Sequence, residues 1–510
     1  MTPLKPIPDP DAVPPDPANE EYSIADIKRS SARGGVVTIL AQGAGLVIQL
    51  TSTIVLARLL LPSEYGIIAM VAAITAFAGL FRDLGLSAST IQRKQINEKQ
   101  LSTLYWINVG VGAILTVVTA AMAPLVAWFY NRPELTAVTV ALSFGFLIGS
   151  FGTQPGALLN RNMEFGRLAT ANLAGALLTV VVSIALALRG QGYWSLVIGS
   201  LGGALVTSVL LNLLSGWRPG LPTRGTGLRA TLAYGANITA FDFVSYFHRN
   251  LDNILIGRVW GADALGLYSR AYALLMFPIQ NVRAPINAVA FPAMSRLQDR
   301  PEELRAYYLS TTRLIAFVSM PLTAFLFVTS NPIIRITLGE EWVRAASIFS
   351  YLAVAAFIQP AAGLAGSLLL SQGHSRRYFA CGFFNTVVLS VAFVAGLPWG
   401  PEGVALAYAI GNYIILYPWL REAFKGSAVN FGAFAAACAW PALVSVMATA
   451  VVILWQRWTV IHNPWLEVAT AAAVFAIVIL PQLFFTKGGR AQITLLRNVL
   501  AQLRAKKNAA

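Results

Sequence analysis

Long uncharged apolar runs recur along this chain and dictate the solvent it folds in. Eleven stretches of at least 18 residues contain no Asp, Glu, Lys, Arg or His: 34–57, 100–131, 135–160, 168–188, 190–217, 314–334, 345–373, 378–401, 403–420, 426–456 and 468–486. A run of about 20 apolar residues crosses the hydrocarbon core as a helix, the one single-segment structure that satisfies its own backbone there. Three more apolar stretches of spanning length carry charges within them, near 65–92, 228–257 and 264–295. The sequence predicts an all-α polytopic membrane protein with 14 transmembrane helices.

The basic residues give the orientation. With the N-terminus inside and one crossing per run, 25 of the 37 Lys and Arg fall in inner loops, seven in outer loops and five within spans. Short basic loops stay cytoplasmic, so both termini are expected in the cytoplasm. The net charge of +15 therefore sits mainly at one membrane face, where it reads topology and anionic lipid, and nucleic acid is excluded as a partner. Cys381 and Cys438 lie far apart inside predicted spans and His248, His374 and His462 are scattered, so neither a disulfide framework, a metal site nor a cofactor is expected.

Five segments follow from this pattern. Residues 1–33, rich in proline and acids at their start, read as a disordered cytosolic tail. Residues 34–217 hold helices 1–6, an N-lobe; 228–424 hold helices 7–12, a C-lobe; 426–486 hold helices 13 and 14. In 487–510, Arg490, Arg497 and Arg504 recur opposite Ile493, Leu496, Leu500 and Leu503, which predicts an amphipathic cytosolic helix lying on the inner leaflet.

The two lobes share a weak repeat. Val55–Gly66 aligns without a gap over Leu255–Gly266, with Arg58 on Arg258 and Gly66 on Gly266 at an offset of 200. An even number of helices separates the copies, so they run parallel, and transporters set their substrate between such repeats. A glycine after a tight outer turn explains part of the match equally well.

Arginine at membrane depth costs at least about 2.5–3.5 kcal/mol, so it normally faces a bundle interior or a wet cavity. Arg82, Arg249, Arg270, Arg283 and Arg313 lie in predicted spans, accompanied by Asp83, Asp242, His248 and Asp252. Arg313 fits the interfacial end of its helix. Arg82 and Arg283 are repeat-related at an offset of 201 and would approach from opposite walls of a central cavity. Asp242, Tyr246, Arg249 and Asn253 form one polar stripe of the seventh span. The pattern assigns Arg82, Arg249, Arg270 and Arg283 to a basic cavity for a ligand with several negative charges, such as a pyrophosphate. The competing reading is buried ion pairing, Arg82 with Asp83 and Arg249 with Asp252. Asp83, Asp242 and Asp252 are candidates for ion coupling or charge balancing. Trp128, Tyr130, Trp194, Trp260 and Trp399 near the outer ends fit sugar stacking, though an interfacial belt predicts the same residues.

Several stretches resemble the polysaccharide-transporter (Wzx-type) branch of the multidrug/oligosaccharidyl-lipid/polysaccharide flippase superfamily. They are ARLLLPSEYGIIAMV at 57–71, FRDLGLSASTIQR at 81–93, LLNRNMEFGRLA at 158–169, GQGYWSLV at 190–197 and DNILIGRVWGADALGLYSRAYALLMFPI at 252–279. The resemblance implies two pseudo-symmetric six-helix lobes plus two C-terminal helices, opening alternately to either side of a bacterial inner membrane. It further implies that an undecaprenyl-pyrophosphate-linked glycan moves from the cytoplasmic to the outer leaflet, for exopolysaccharide, capsule or O-antigen synthesis. Polysaccharide polymerase and export machinery are the implied protein partners. In related flippases, arginines on helices 1, 2 and 8 hold the pyrophosphate. Helix 1 departs here, offering only Gln42 and Gln49 between Gly34 and Ala57, which moves weight to Arg249.

Two other functions compete. A cation-coupled drug antiporter favours an acidic cavity, whereas this one is mostly basic. A membrane polymerase or ligase needs a sizeable outer loop, and the longest outer segment is about 331–345, without a nucleophile constellation, metal spacing or phosphate-cradling loop. The expectation is a transporter and no enzyme.

Overall fold

A computed structural model describes residues 24–82, 86–92, 96–223, 229–485, 489–490 and 494. The expected N-terminal tail up to residue 23 and nearly all of the C-terminal amphipathic helix lie outside the described residues. The described chain is helical, with no strand among those residues. The helices are α1 (Ile24–Leu59), α2 (Pro62–Gly79), α3 (Leu86–Gln92), α4 (Glu98–Tyr130), α5 (Glu134–Arg161), α6 (Phe165–Leu188) and α7 (Trp194–Ser215). They continue as α8 (Arg229–Arg296), α9 (Pro301–Val328), α10 (Ser330–Thr337), α11 (Ala345–Ser371), α12 (Ser375–Gly396), α13 (Gly400–Phe424), α14 (Phe431–Trp458) and α15 (Pro464–Phe485). Residues 24–33, expected in the tail, form the opening turns of α1.

Eleven segments are long and apolar enough to cross a membrane, which makes this a multi-pass membrane protein. One of them, Ser375–Phe424, contains both α12 and α13, separated by a short turn at Leu397–Trp399. The charged helix α8 is not among the eleven, and it breaks at Gly261, whose φ of 80° and ψ of −172° only glycine adopts readily. The break falls in the gap between the predicted stretches 228–257 and 264–295.

Local signals fix several ends. Asn97 and Gln100 form a reciprocal capping box: Asn97 Oδ1 accepts from Gln100 N at 2.8 Å and Gln100 Oε1 accepts from Asn97 N at 3.3 Å. Asn430 caps α14 by accepting from Ala433 N at 2.8 Å. The second span corrects the sequence reading. Expected as one helix over 65–92, it stops at Gly79, where the amides of Leu80, Phe81 and Arg82 turn to carbonyls three residues back, and a separate helix is described over Leu86–Gln92.

The chain divides into two compact units, Met1–Leu56 with Ile74–Phe243, and Ala57–Ala73 with Val244–Ala510. In the first, α6 and α7 pack through small residues. A β-carbon on Gly175 or Gly203 would overlap Thr207 or Thr179, and one on Gly199 would overlap Ser183. Close backbone approach of this kind replaces the hydrophobic drive that lipid removes. In the second unit, α11 is the central helix. Leu364 and Leu368 are fully enclosed with Met294, Tyr308 and Met320 around them.

The end of α1 and the first two-thirds of α2 belong to the second unit. Trp342 Nε1 donates to Ala57 O at 2.8 Å, Arg58 Nη2 donates to Ile336 O at 2.7 Å, and Trp342 meets the Tyr65 ring edge-on at 5.4 Å. A β-carbon on Gly66 would collide with the Ala262 carbonyl, and one on Gly266 with the Pro62 carbonyl. Residue 62 answers 262 and residue 66 answers 266, so both halves of the contact obey the offset of 200 noted in the repeat.

Candidate functional site

The four predicted cavity arginines stand on two elements. Arg82 closes the turn after α2 in the first unit; Arg249, Arg270 and Arg283 lie on α8 in the second. Among the described residues, none of the four comes within 4 Å of a carboxylate. The proposed pair Arg249–Asp252 is therefore not formed. Asp83 lies outside the described residues, and Asp242 and His248 lie on α8 with side chains outside them.

Each arginine has a different seat. Arg82, Arg249 and Arg283 are exposed. Arg270 is stacked instead, its guanidinium carbon 4.5 Å from the Tyr65 ring centre, with Nε buried and without a hydrogen-bond partner. Cation–π contact holds such a group without neutralising it. The polar stripe of the seventh span splits. Tyr246 is buried and donates from its hydroxyl to Ala73 O, while Arg249, three residues on, is exposed.

Asp252 is the enclosed carboxylate of this unit, at 7% exposure. It accepts from Tyr268 Oη at 2.8 Å through Oδ2 and from Asn253 N at 2.8 Å through Oδ1. A polar chain runs nearby across two helices: Gln359 of α11 donates to Tyr408 Oη of α13 at 2.7 Å and to Asn412 Oδ1 at 2.8 Å. Neutral donors thus face one enclosed acidic group, and a buried charge without solvation is costly. Tyr268→Phe removes the hydroxyl that Asp252 Oδ2 accepts from and is expected to lower stability by about 1–3 kcal/mol. A thermal melt of the detergent-solubilised chain checks this; an unchanged midpoint would show that Asp252 has another donor.

Sequence reasoning missed Tyr65, Tyr268, Tyr408 and Gln359. A usable signal existed for one pair, because a helical hairpin turning at Gly261 brings Asp252, nine residues before it, towards Tyr268, seven after it. Trp128 and Trp399 are largely exposed, whereas Trp260 donates from Nε1 to Leu397 O at 2.8 Å and ties α8 to the turn before α13.

Residues 55–347 match the family described as polysaccharide biosynthesis protein. The lipopolysaccharide biosynthesis protein WzxC of Escherichia coli (strain K12) is 30% identical over 390 residues, covering 74% of this chain and 77% of its own. The teichuronic acid biosynthesis protein TuaB of Bacillus subtilis (strain 168) is 29% identical over 362 residues, covering 68% and 73%. Among solved structures, lipid II flippase MurJ in an inward closed conformation matches with a TM-score of 0.72 at 13% identity, over 89% of this chain and 99% of its own. An inward-facing multidrug resistance MATE family transporter of the MOP superfamily matches with a TM-score of 0.58 at 16% identity, over 79% and 95%. The fold is that of the MurJ and MATE proteins.

Proposed function

We propose, for a chain that belongs to the polysaccharide biosynthesis protein family, that it flips a lipid-linked oligosaccharide across the bacterial inner membrane. The carried molecule is an undecaprenyl-pyrophosphate-linked repeat unit, moved from the cytoplasmic to the outer leaflet by alternating access. Its product feeds a polysaccharide polymerase and the export machinery behind it. The chain crosses 14 times, with α12 and α13 counted apart and α8 crossing once on each side of Gly261, and both termini stay in the cytoplasm.

The observation that carries this reading is the set of four arginines, one in the turn after α2 and three on α8, none of them within 4 Å of a carboxylate among the described residues. Cations kept at membrane depth without a protein counterion call for an anionic ligand, and the forked guanidinium fits phosphate oxygens in pairs. Arg82, Arg270, Arg283 and Arg249 are the binding groups in this reading. Asp252, enclosed and paired with a neutral phenol, is the coupling or charge-balancing group. No covalent step is required: binding, reorientation and release suffice, with affinity low enough for the diphosphate to leave.

The test is headgroup translocation of an undecaprenyl-pyrophosphate glycan in proteoliposomes holding the wild-type chain. Protein-dependent movement, under an imposed proton or sodium gradient, is expected. Export of cationic dyes in place of glycan movement would move the chain to the drug antiporters, and glycan polymerisation by the purified chain would make it an enzyme.

A further inference from the structure

Arg82 and Arg283 stand at an offset of 201, and each lies on the same kind of surface. In the first unit, Arg82 Nη1 is 3.3 Å from the point a β-carbon on Gly149 of α5 would occupy. In the second, Arg283 Nη1 is 3.6 Å from the corresponding point on Gly363 of α11. In the order of expected spans α5 is the fourth and α11 the tenth, so six spans separate the seats as six separate the arginines. Arg270 has an aromatic ring beneath it instead.

A guanidinium resting on a carboxylate spends its donors there. One resting beside a glycine backbone spends none, and its N–H edges stay available to a ligand. Both Arg82 and Arg283 are exposed and lack a carboxylate within 4 Å among the described residues. We propose that Gly149 and Gly363 are positioning residues: the missing side chains let Arg82 and Arg283 lie close to α5 and α11 with their donors directed at a diphosphate. The inference rests on the flippase reading and goes beyond it, because it gives a role to two residues that carry no chemistry of their own.

The distances make the claim asymmetric and therefore sharp. A methyl group on Gly149 is too close to Nη1, while one on Gly363 makes an ordinary contact. Nη1 is the far end of a flexible chain, so it moves aside at little expense to the fold. Alanine also stabilises a helix relative to glycine. Gly149→Ala should thus raise stability and lower anion affinity together, a combination that a packing defect does not produce.

The experiment titrates inorganic pyrophosphate into the full chain in nanodiscs by calorimetry at low salt, with a thermal melt alongside. Gly149→Ala is expected to weaken binding about tenfold, the loss that misaligning one charge-assisted phosphate contact produces, with a melting temperature at or above wild type. Gly363→Ala should stay within roughly twofold of wild type, and Gly363→Val should fall to the level of Arg283→Ala. The double variant Gly149→Ala with Arg82→Ala should bind as Arg82→Ala does, because a seat has no effect once its arginine is gone. Wild-type affinity in Gly149→Ala beside a loss in Arg82→Ala would remove the seats and keep the flippase reading. Additive losses in the double variant would assign Gly149 to helix packing. Absence of pyrophosphate binding by the wild-type chain, or unchanged binding in both arginine variants, would remove the seats and the anion site together.

Discussion

Arg82→Ala and Arg283→Ala are each expected to abolish glycan translocation in proteoliposomes, with folded protein recovered at wild-type yield. Two observations set this expectation. Each arginine is exposed and lacks a carboxylate within 4 Å among the described residues, so removing it breaks no ion pair described there. The described packing therefore loses little. The ligand loses a charge-assisted contact of about 1.5–3 kcal/mol at each position, and a multiply charged headgroup without it meets a hydrocarbon-depth barrier with fewer counterions. Arg82→Lys keeps the charge but not the fork and should recover only part of the rate. Folding is read by size-exclusion profile and melting temperature, transport by accessibility of the headgroup. Normal transport in both alanine variants would discard the basic site while leaving the flippase.

Gly266→Val acts on the opposite property and is expected to leave almost no folded protein. Its first side-chain carbon collides with the carbonyl of Pro62, and the reciprocal position Gly66 is closed by the carbonyl of Ala262. Neither obstacle is a side-chain tip that can rotate away. Both are backbone in helices held by further contacts, among them Trp342 to Ala57 O and Arg58 to Ile336 O. Relief demands that the α2 and α8 backbones separate, and a loss above about 4 kcal/mol, enough to abolish a stable fold, is expected. Fluorescence-detected size exclusion of tagged wild type, Gly266→Ala and Gly266→Val reads the result, with alanine already strongly impaired. A sharp monodisperse peak for the valine variant, melting within a few degrees of wild type, would show that this contact is not close-packed.

Much of the fold could be read from the chain because lipid imposes a crude code. Uncharged length alone brought out α1, α4 to α7, α9 and α11 to α15 with their order, while the short α10 was not foreseen. The boundary in α8 was legible as well, since Gly261 sits between two apolar stretches, and the repeat at 58–66 and 258–266 marked residues that later proved to touch. The interruption after Gly79 was not legible. No proline marks it, and a helix ending through three successive short hydrogen bonds carries no distinctive composition. The site was readable by residue type and not by partner. Arg82, Arg249, Arg270 and Arg283 stand out wherever they fall in an apolar run, whereas the ring beneath Arg270 and the glycines beside Arg82 and Arg283 come from distant positions. Tertiary packing chooses those neighbours, and one sequence carries no record of it. The Arg249–Asp252 pair was a fair inference from helical spacing, yet Asp252 accepts from the Tyr268 phenol instead.

The hairpin of residues 57–73 packs with a unit whose remaining chain begins at Val244. Synthesis reverses that partnership in time. Gly66 leaves the ribosome 196 residues before Ala262, its backbone neighbour, exists. At about 5–20 residues per second the exposed glycine surface waits roughly 10–40 s in the bilayer. During that interval residues 57–73 form a bare docking strip with nothing to dock on it. The last step of folding of the first hairpin belongs to the arrival of α8, so an early stop in translation leaves behind a membrane-inserted fragment with an open, adhesive face, suited to recognition by membrane quality control.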